Sequence, residues 1–203
     1  MTELPDGGTV RPITRWGDPV LHRALIRVDA FDDGLATLVA DLVATMRAAD
    51  GVGLAANQVG VDQALFVFEC PDADQVVHTG VVCNPRLVAA DDGERRLDEG
   101  TEGCLSLPGA FVSCARPDRA RVEGLDATGQ PVSYEGAGLV ARCLQHETDH
   151  VFGTVFGDRL NRRSRKDLQR QADENAEHFP PDWPVTRAQE QQQGQEPDQG
   201  RSA

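Results

Sequence analysis

Gln145-His146-Glu147-Thr148-Asp149-His150 is an HExxH run, a short sequence signature of a hydrolytic metal site. On an α-helix, residues four apart share one face, so His146 and His150 can grip one ion. Glu147, one step round, then reaches a water bound to that ion. The surrounding residues support the helix: Leu139, Val140, Cys143, Leu144 and Val151 give residues 139–151 a helical apolar pattern, and Gly153 is placed to end it.

Two histidines leave a catalytic ion one protein ligand short, because hydrolytic sites usually hold the metal with three side chains and keep a position for water. A histidine six residues beyond the second is ruled out, since that position is Phe156. Glu174 and Glu177 are the downstream alternatives. Upstream, Cys104 stands in a stretch of small and polar residues, Glu102-Gly103-Cys104-Leu105-Ser106, where a plain packing role is less natural. Both routes stay open on spacing alone.

Length and charge narrow the class. The 203 residues suit one compact domain of about 150–170 residues plus tails. A formal net charge of −13 argues against a nucleic-acid binder, so no DNA partner is expected. No window approaches the ~18 apolar residues of a membrane span, and residues 1–11 lack a signal pattern, so the expected address is cytoplasmic. Five cysteines, an odd number, read as reduced thiols and not as a disulfide framework. His22, His78 and His178 lack ligand spacing and read as surface residues.

Residues 33–49 carry Leu35, Leu38, Val39, Leu42, Val43 and Met46 at helical spacing, with Asp32 or Asp33 as cap. Residues 51–58 (GVGLAANQ) then turn to glycines and small side chains, where backbone can approach another group closely. Strand-like runs come next at 64–69, 80–83, 111–115, 120–125 and 131–134, and the charged stretch 91–100 reads as an exposed loop. A weaker helix is expected over residues 164–177. The Pro-, Gln- and Glu-rich end reads as a disordered tail. The expectation is an α+β protein, mostly antiparallel sheets around a central metal-binding helix carrying HExxH. Its parts are an N-terminal extension (1–11), a catalytic domain (12–178) and a tail (179–203).

Three segments in series, GVGLAANQ at 51–58, EGCLS at 102–106 with Leu107-Pro108-Gly109, and QHETDH at 145–150, closely resemble peptide deformylase. The likeness reaches Gly17-Asp18-Pro19-Val20-Leu21, Arg116-Pro117 and Phe156-Gly157-Asp158-Arg159-Leu160, and so covers roughly residues 12–170. It implies a hydrolase that removes the formyl group from formyl-methionyl nascent peptides and releases formate. It also implies one metal ion, Fe2+ by family habit with Zn2+, Ni2+ or Co2+ as substitutes, held by Cys104, His146 and His150. Thiolate plus two imidazoles suits all of these ions, so the donor set alone does not name one.

By the same resemblance Glu147 is the general base, while the Gln58 amide and the Leu105 backbone N–H receive the oxyanion. Val52, Gly53, Gly103, Leu139 and Cys143 would bind substrate, lining the methionine pocket or its strand-like binding edge, and Arg142 is a charged residue within that stretch. Glu102 and Arg116 would form a supporting ion pair, and Asp149 would orient a neighbouring group. The alternative is a zinc endopeptidase with Glu174 as third ligand. Residues 159–170 hold six basic residues against one aspartate, which suits either docking on ribosomal RNA near the exit tunnel or a plain solvated helix face. The enzyme is expected to act as a monomer.

Overall fold

Helix α1 (Asp33–Ala48) starts where the Asp32 carboxylate accepts the Leu35 N–H at 3.0 Å, a side-chain cap on an otherwise orphaned donor. Its apolar stripe is buried, with Leu42 and Met46 wholly so. The computed structural model describes residues 3–88 and 96–194. After α1 come strands β1 (Gly53–Ala55), β2 (Leu65–Pro71) and β3 (Val77–Val88). Strands β4 (Leu97–Cys104), β5 (Leu107–Pro117), β6 (Arg119–Leu125) and β7 (Pro131–Ala137) come next, then helix α2 (Gly138–Val151), α3 (Arg162–Asn175) and α4 (Val185–Gly194).

The main sheet has five antiparallel strands in the order β1-β2-β3-β6-β7. Both of its faces are covered, which explains why β2 reads as the unbroken apolar run Leu65-Phe66-Val67-Phe68 and not as an alternation. Leu65 and Val67, with Val81 and Cys83 of β3, pack against Leu38, Leu42 and Met46 of α1. Phe66, Phe68 and Cys70, with Val82 and Val122, pack against Val140, Cys143 and Leu144 of α2. Strands β4 and β5 form a separate antiparallel pair. Cys104, Ala110, Val112 and Cys114 from that pair share a third cluster with Phe156 and Leu168, the latter from α3. The result is a mixed α/β fold built on antiparallel sheets.

Several sequence expectations shift. Residues 97–100 are the start of strand β4, not loop, while 91–95 lie outside the described residues. Their acidic and glycine content hides a strand that pairs along its whole length with β5. Residues 53–55 form the short edge strand β1. Residues 179–194, read as tail, hold helix α4 and bury Trp183 to 5% exposure in the α1 cluster. Two aromatics, Phe179 and Trp183, were the anchoring signal there. Residues 195–203 lie outside the described set. At the other end, Leu4 is buried and Arg11 grips Asp41 of α1 at 2.8 and 2.6 Å, so the extension packs on the domain. Among the described residues no helix is long and apolar enough to cross a membrane.

Leu42 is wholly buried in the cluster between α1 and the main sheet. Leu42→Ala is expected to lower the unfolding free energy by about 2–5 kcal/mol in urea titrations; a loss under about 1 kcal/mol would contradict this packing.

Candidate metal centre

Every side chain from Val140 to Val151 is buried, although this stretch of α2 includes Arg142, Gln145, His146, Glu147, Thr148, Asp149 and His150. Buried polar groups at that density need partners. Two are local: Thr148 Oγ1 donates to Leu144 O at 2.7 Å, and Gln145 Nε2 to Ala141 O at 2.9 Å and Pro117 O at 3.0 Å. The rest face β4, β5 and the β1 segment.

Cys104 ends β4, and the β4–β5 register slips between Gly103 and Cys104 before the two-residue turn Leu105-Ser106. Such a bulge re-aims a side chain. Here Cys104 Sγ lies 3.3 Å from His150 Nε2, which is itself 3.2 Å from His146 Nε2. The three donor atoms all fall within 4.8 Å of one another. His146 Nδ1 donates to Glu102 Oε1 at 2.7 Å, which turns Nε2 towards Cys104 and His150. Burial and the nearby His146 drive the His150 pKa well down, so that ring is neutral. One cysteine sulfur and two imidazole nitrogens converging in a buried place are the donor set a divalent transition metal takes.

Glu147 borders the same centre. Burial pushes its carboxyl up to about 7, and its Oε2 is buried with no hydrogen-bond partner among the described residues. Gly53 faces it closely: a Cβ on Gly53 would sit 2.6 Å from Glu147 Oε1, so the glycine of the first motif makes room for the carboxylate. Gln58 is 1% exposed. Its Oε1 accepts the Ala55 N–H at 3.0 Å, which fixes the amide so that Nε2 lies 3.3 Å from Ser106 Oγ and 3.7 Å from Cys104 Sγ.

A buried ionic network backs the ligands. Glu102 receives Arg116 Nε at 2.7 Å and Nη2 at 2.5 Å, and Arg142 Nη1 at 2.9 Å, besides His146. Arg116 Nη1 continues to Asp149 at 2.8 Å, and Asp149 also pairs with Arg159. Burial opposes the Glu102 charge, but the hydrogen bonds from Arg116 and His146 hold its carboxyl well below the ordinary range. For His146, burial disfavours the cation while Cys104 and Glu102 favour it more strongly.

Val52, Gly53, Gln58, Gly103, Cys104, Leu105, Leu139, Cys143, His146 and Glu147 all line one cleft of about 450 Å³. His150 sits behind it at 0% exposure. Arg142 borders the cleft, yet its guanidinium is spent on Glu102, Cys114 O at 2.7 Å and Asp98 O at 3.1 Å, so it supports the network. Its place four residues before His146, hence on the same helix face, was the signal for that role. Asn57, which ties the first motif to α2 through His150 O at 2.8 Å, and Ser106 were not singled out, although both lie inside the quoted motifs. Glu174 is not brought here: it pairs with Arg170 on the surface of α3, with a side chain 58% exposed. Glu177 is likewise exposed beside His178. The endopeptidase ligand set therefore fails.

The sequence model of one family, described as polypeptide deformylase, matches residues 10–166. Peptide deformylase 1 of Streptomyces avermitilis is 53% identical over 173 residues, covering 85% of this chain and 80% of its own. Peptide deformylase 2 of Streptomyces coelicolor is 51% identical over 164 residues, covering 81% and 90%. Among solved structures, a peptide deformylase from Legionella pneumophila superposes with a TM-score of 0.75 at 37% identity, over 84% of this chain and 97% of that one. One from Synechococcus elongatus in complex with actinonin gives 0.70 at 34%, over 87% and 90%.

The depressed Glu102 pKa means its ion pairs stabilise the fold above the ordinary carboxylate range, a contribution lost as pH falls towards the folded-state value. Glu102→Gln in metal-free protein is expected to cost about 3–5 kcal/mol at neutral pH. The gap from wild type should shrink in acid. Equal stability at neutral pH would contradict the network.

Proposed function

The chain belongs to the peptide deformylase family, and on that premise we propose how its own residues carry the reaction. The family activity is metal-dependent hydrolysis that removes the N-terminal formyl group of nascent polypeptides and releases formate. Cys104, His146 and His150 are the residues that would hold the ion, with α2 as the metal-binding helix. The convergence of their three donor atoms beside an unpartnered Glu147 oxygen carries this reading. When bound, a divalent cation polarises the formyl carbonyl and acidifies water. Fe2+ is the proposed occupant.

Glu147 takes the proton of the attacking water, a role matched by a carboxyl that burial has raised close to neutrality. The oxyanion formed at the formyl carbon is met by Gln58 Nε2, held ready by the Ala55 N–H, and by the backbone N–H of Leu105 in the turn after Cys104. Glu147 then returns its proton to the departing amine. Electrons of the C–N bond leave with that nitrogen, giving formate and a free N-terminus. Glu102, Arg116 and Arg142 keep His146 turned so that Nε2 faces the centre. Val52, Gly53, Gly103, Leu139 and Cys143 bound the space for the methionine side chain.

We also propose that the enzyme works as a monomer in the cytoplasm, where its substrates emerge from the ribosome. Residues 159–170 are the proposed docking segment, supported by the exposed Arg162, Arg163 and Lys166. Reversing these three charges is expected to reduce cosedimentation with ribosomes; unchanged cosedimentation would end that part.

Protein purified without air is expected to contain one iron per chain and to release formate from formyl-Met-Ala. Glu147→Ala should lower that rate by about 10²–10⁴-fold while retaining the metal. Cys104→Ser should lose the metal. Full activity in the first variant, or full metal content in the second, would refute these assignments.

A further inference from the structure

The cleft that contains Glu147 and Cys104 has a wall that the mechanism does not use. Phe179, Trp183 and Arg187 line it, and all three lie beyond residues 10–166, where the family match ends. The wall is firmly anchored. Ile13 N–H donates to Trp183 O at 3.0 Å, and Arg15 Nη2 donates to Phe179 O at 3.0 Å and Pro180 O at 2.9 Å. Trp183 meets the Phe179 ring edge to face at 5.1 Å between centroids. Asn175 Nδ2 holds Gly109 O at 3.0 Å, and a Cβ on Gly109 would lie 2.7 Å from Phe179 Cε2, so the wall presses against the hairpin that presents Cys104. At the lip, Arg187 is ion-paired with Asp50, next to the first motif.

The formyl centre and the proposed methionine space by Gly53, Leu139 and Cys143 leave Pro108, Phe179 and Trp183 of the same cleft lining without a role. With the Leu105 side chain these residues give the cleft an apolar trough. A formylated chain has nothing before its methionine, so only residues on the C-terminal side of that methionine can fill this space. The Asp50–Arg187 pair leaves no net charge at the lip, and a charged side chain in the trough would lose water without gaining a partner. An anchored wall also costs little ordering when a peptide docks.

We propose that residues 179–187 form a specificity-determining subsite for the second residue of the formylated chain, one that favours an apolar or aromatic side chain. This rests on the deformylase reading. The test uses full-length, metal-loaded protein and compares kcat/KM for formyl-Met-Phe and formyl-Met-Ala. The wild-type ratio is expected to favour the phenylalanine peptide by about tenfold, the scale for burying part of an aromatic side chain. Phe179→Ala should bring the ratio towards unity. Should that variant not fold, Phe179→Leu, which keeps an apolar contact with Trp183, should still lower the ratio several-fold. A wild-type ratio at or below one, or a ratio unchanged in the variants, overturns the subsite. Absence of formate release from either peptide by wild type would instead overturn the deformylase reading, and the subsite with it.

Discussion

The carboxylate of Glu102 accepts hydrogen bonds from two of the three Arg116 nitrogens, from Arg142 and from His146, all in a place almost closed to water. That one group joins β4, β5 and α2. It also orients His146, since the hydrogen bond at Nδ1 turns Nε2 towards the centre. Burying a charge is costly unless every lone pair is used, and here the arginines and the imidazole use them. Arg116 and Asp149 then extend the network to Arg159, past the end of α2. A fully satisfied polar network of this kind permits few alternative arrangements of the strands and helix it links.

The sheet supplies the rigidity around it. With Leu65 and Val67 packed towards α1 and Phe66 and Phe68 towards α2, β2 cannot slip by one residue without exchanging its two buried faces. The motifs are then tied across the core by single bonds. Asn57 reaches His150 O, Cys143 Sγ lies 3.4 Å from Val52 O, and Trp16 N–H donates to Ser106 O at 2.9 Å. Gly53 lets the first segment approach Glu147 at a distance that no side chain would allow. Glu147 thus stays dry, which raises its pKa to about 7 and suits the proposed role of base.

The legible parts of the sequence were those with strong periodicity or fixed spacing. Helix α1 begins and ends within a residue of its pattern, and α2 starts one residue before its own. The HExxH pair and Cys104 do meet, although 42 positions separate Cys104 from His146. What stayed hidden was set by tertiary context. Strand β4 carries Asp98, Glu99 and Gly100, poor strand formers that β5 nevertheless pairs. Arg142 is a charged residue among the expected pocket positions, and only the fold shows its charge directed to Glu102. The wall at residues 179–187 was obscured by its polar neighbours, and only packing against Ile13, Arg15 and Gly109 reveals it.

The central claim is that a cysteine thiolate and two histidines share one ion. X-ray absorption at the metal edge of zinc-loaded protein tests it most directly. One sulfur at about 2.3 Å and two imidazole nitrogens at about 2.0–2.1 Å are the predicted result. A coordination sphere of nitrogen and oxygen alone would contradict it.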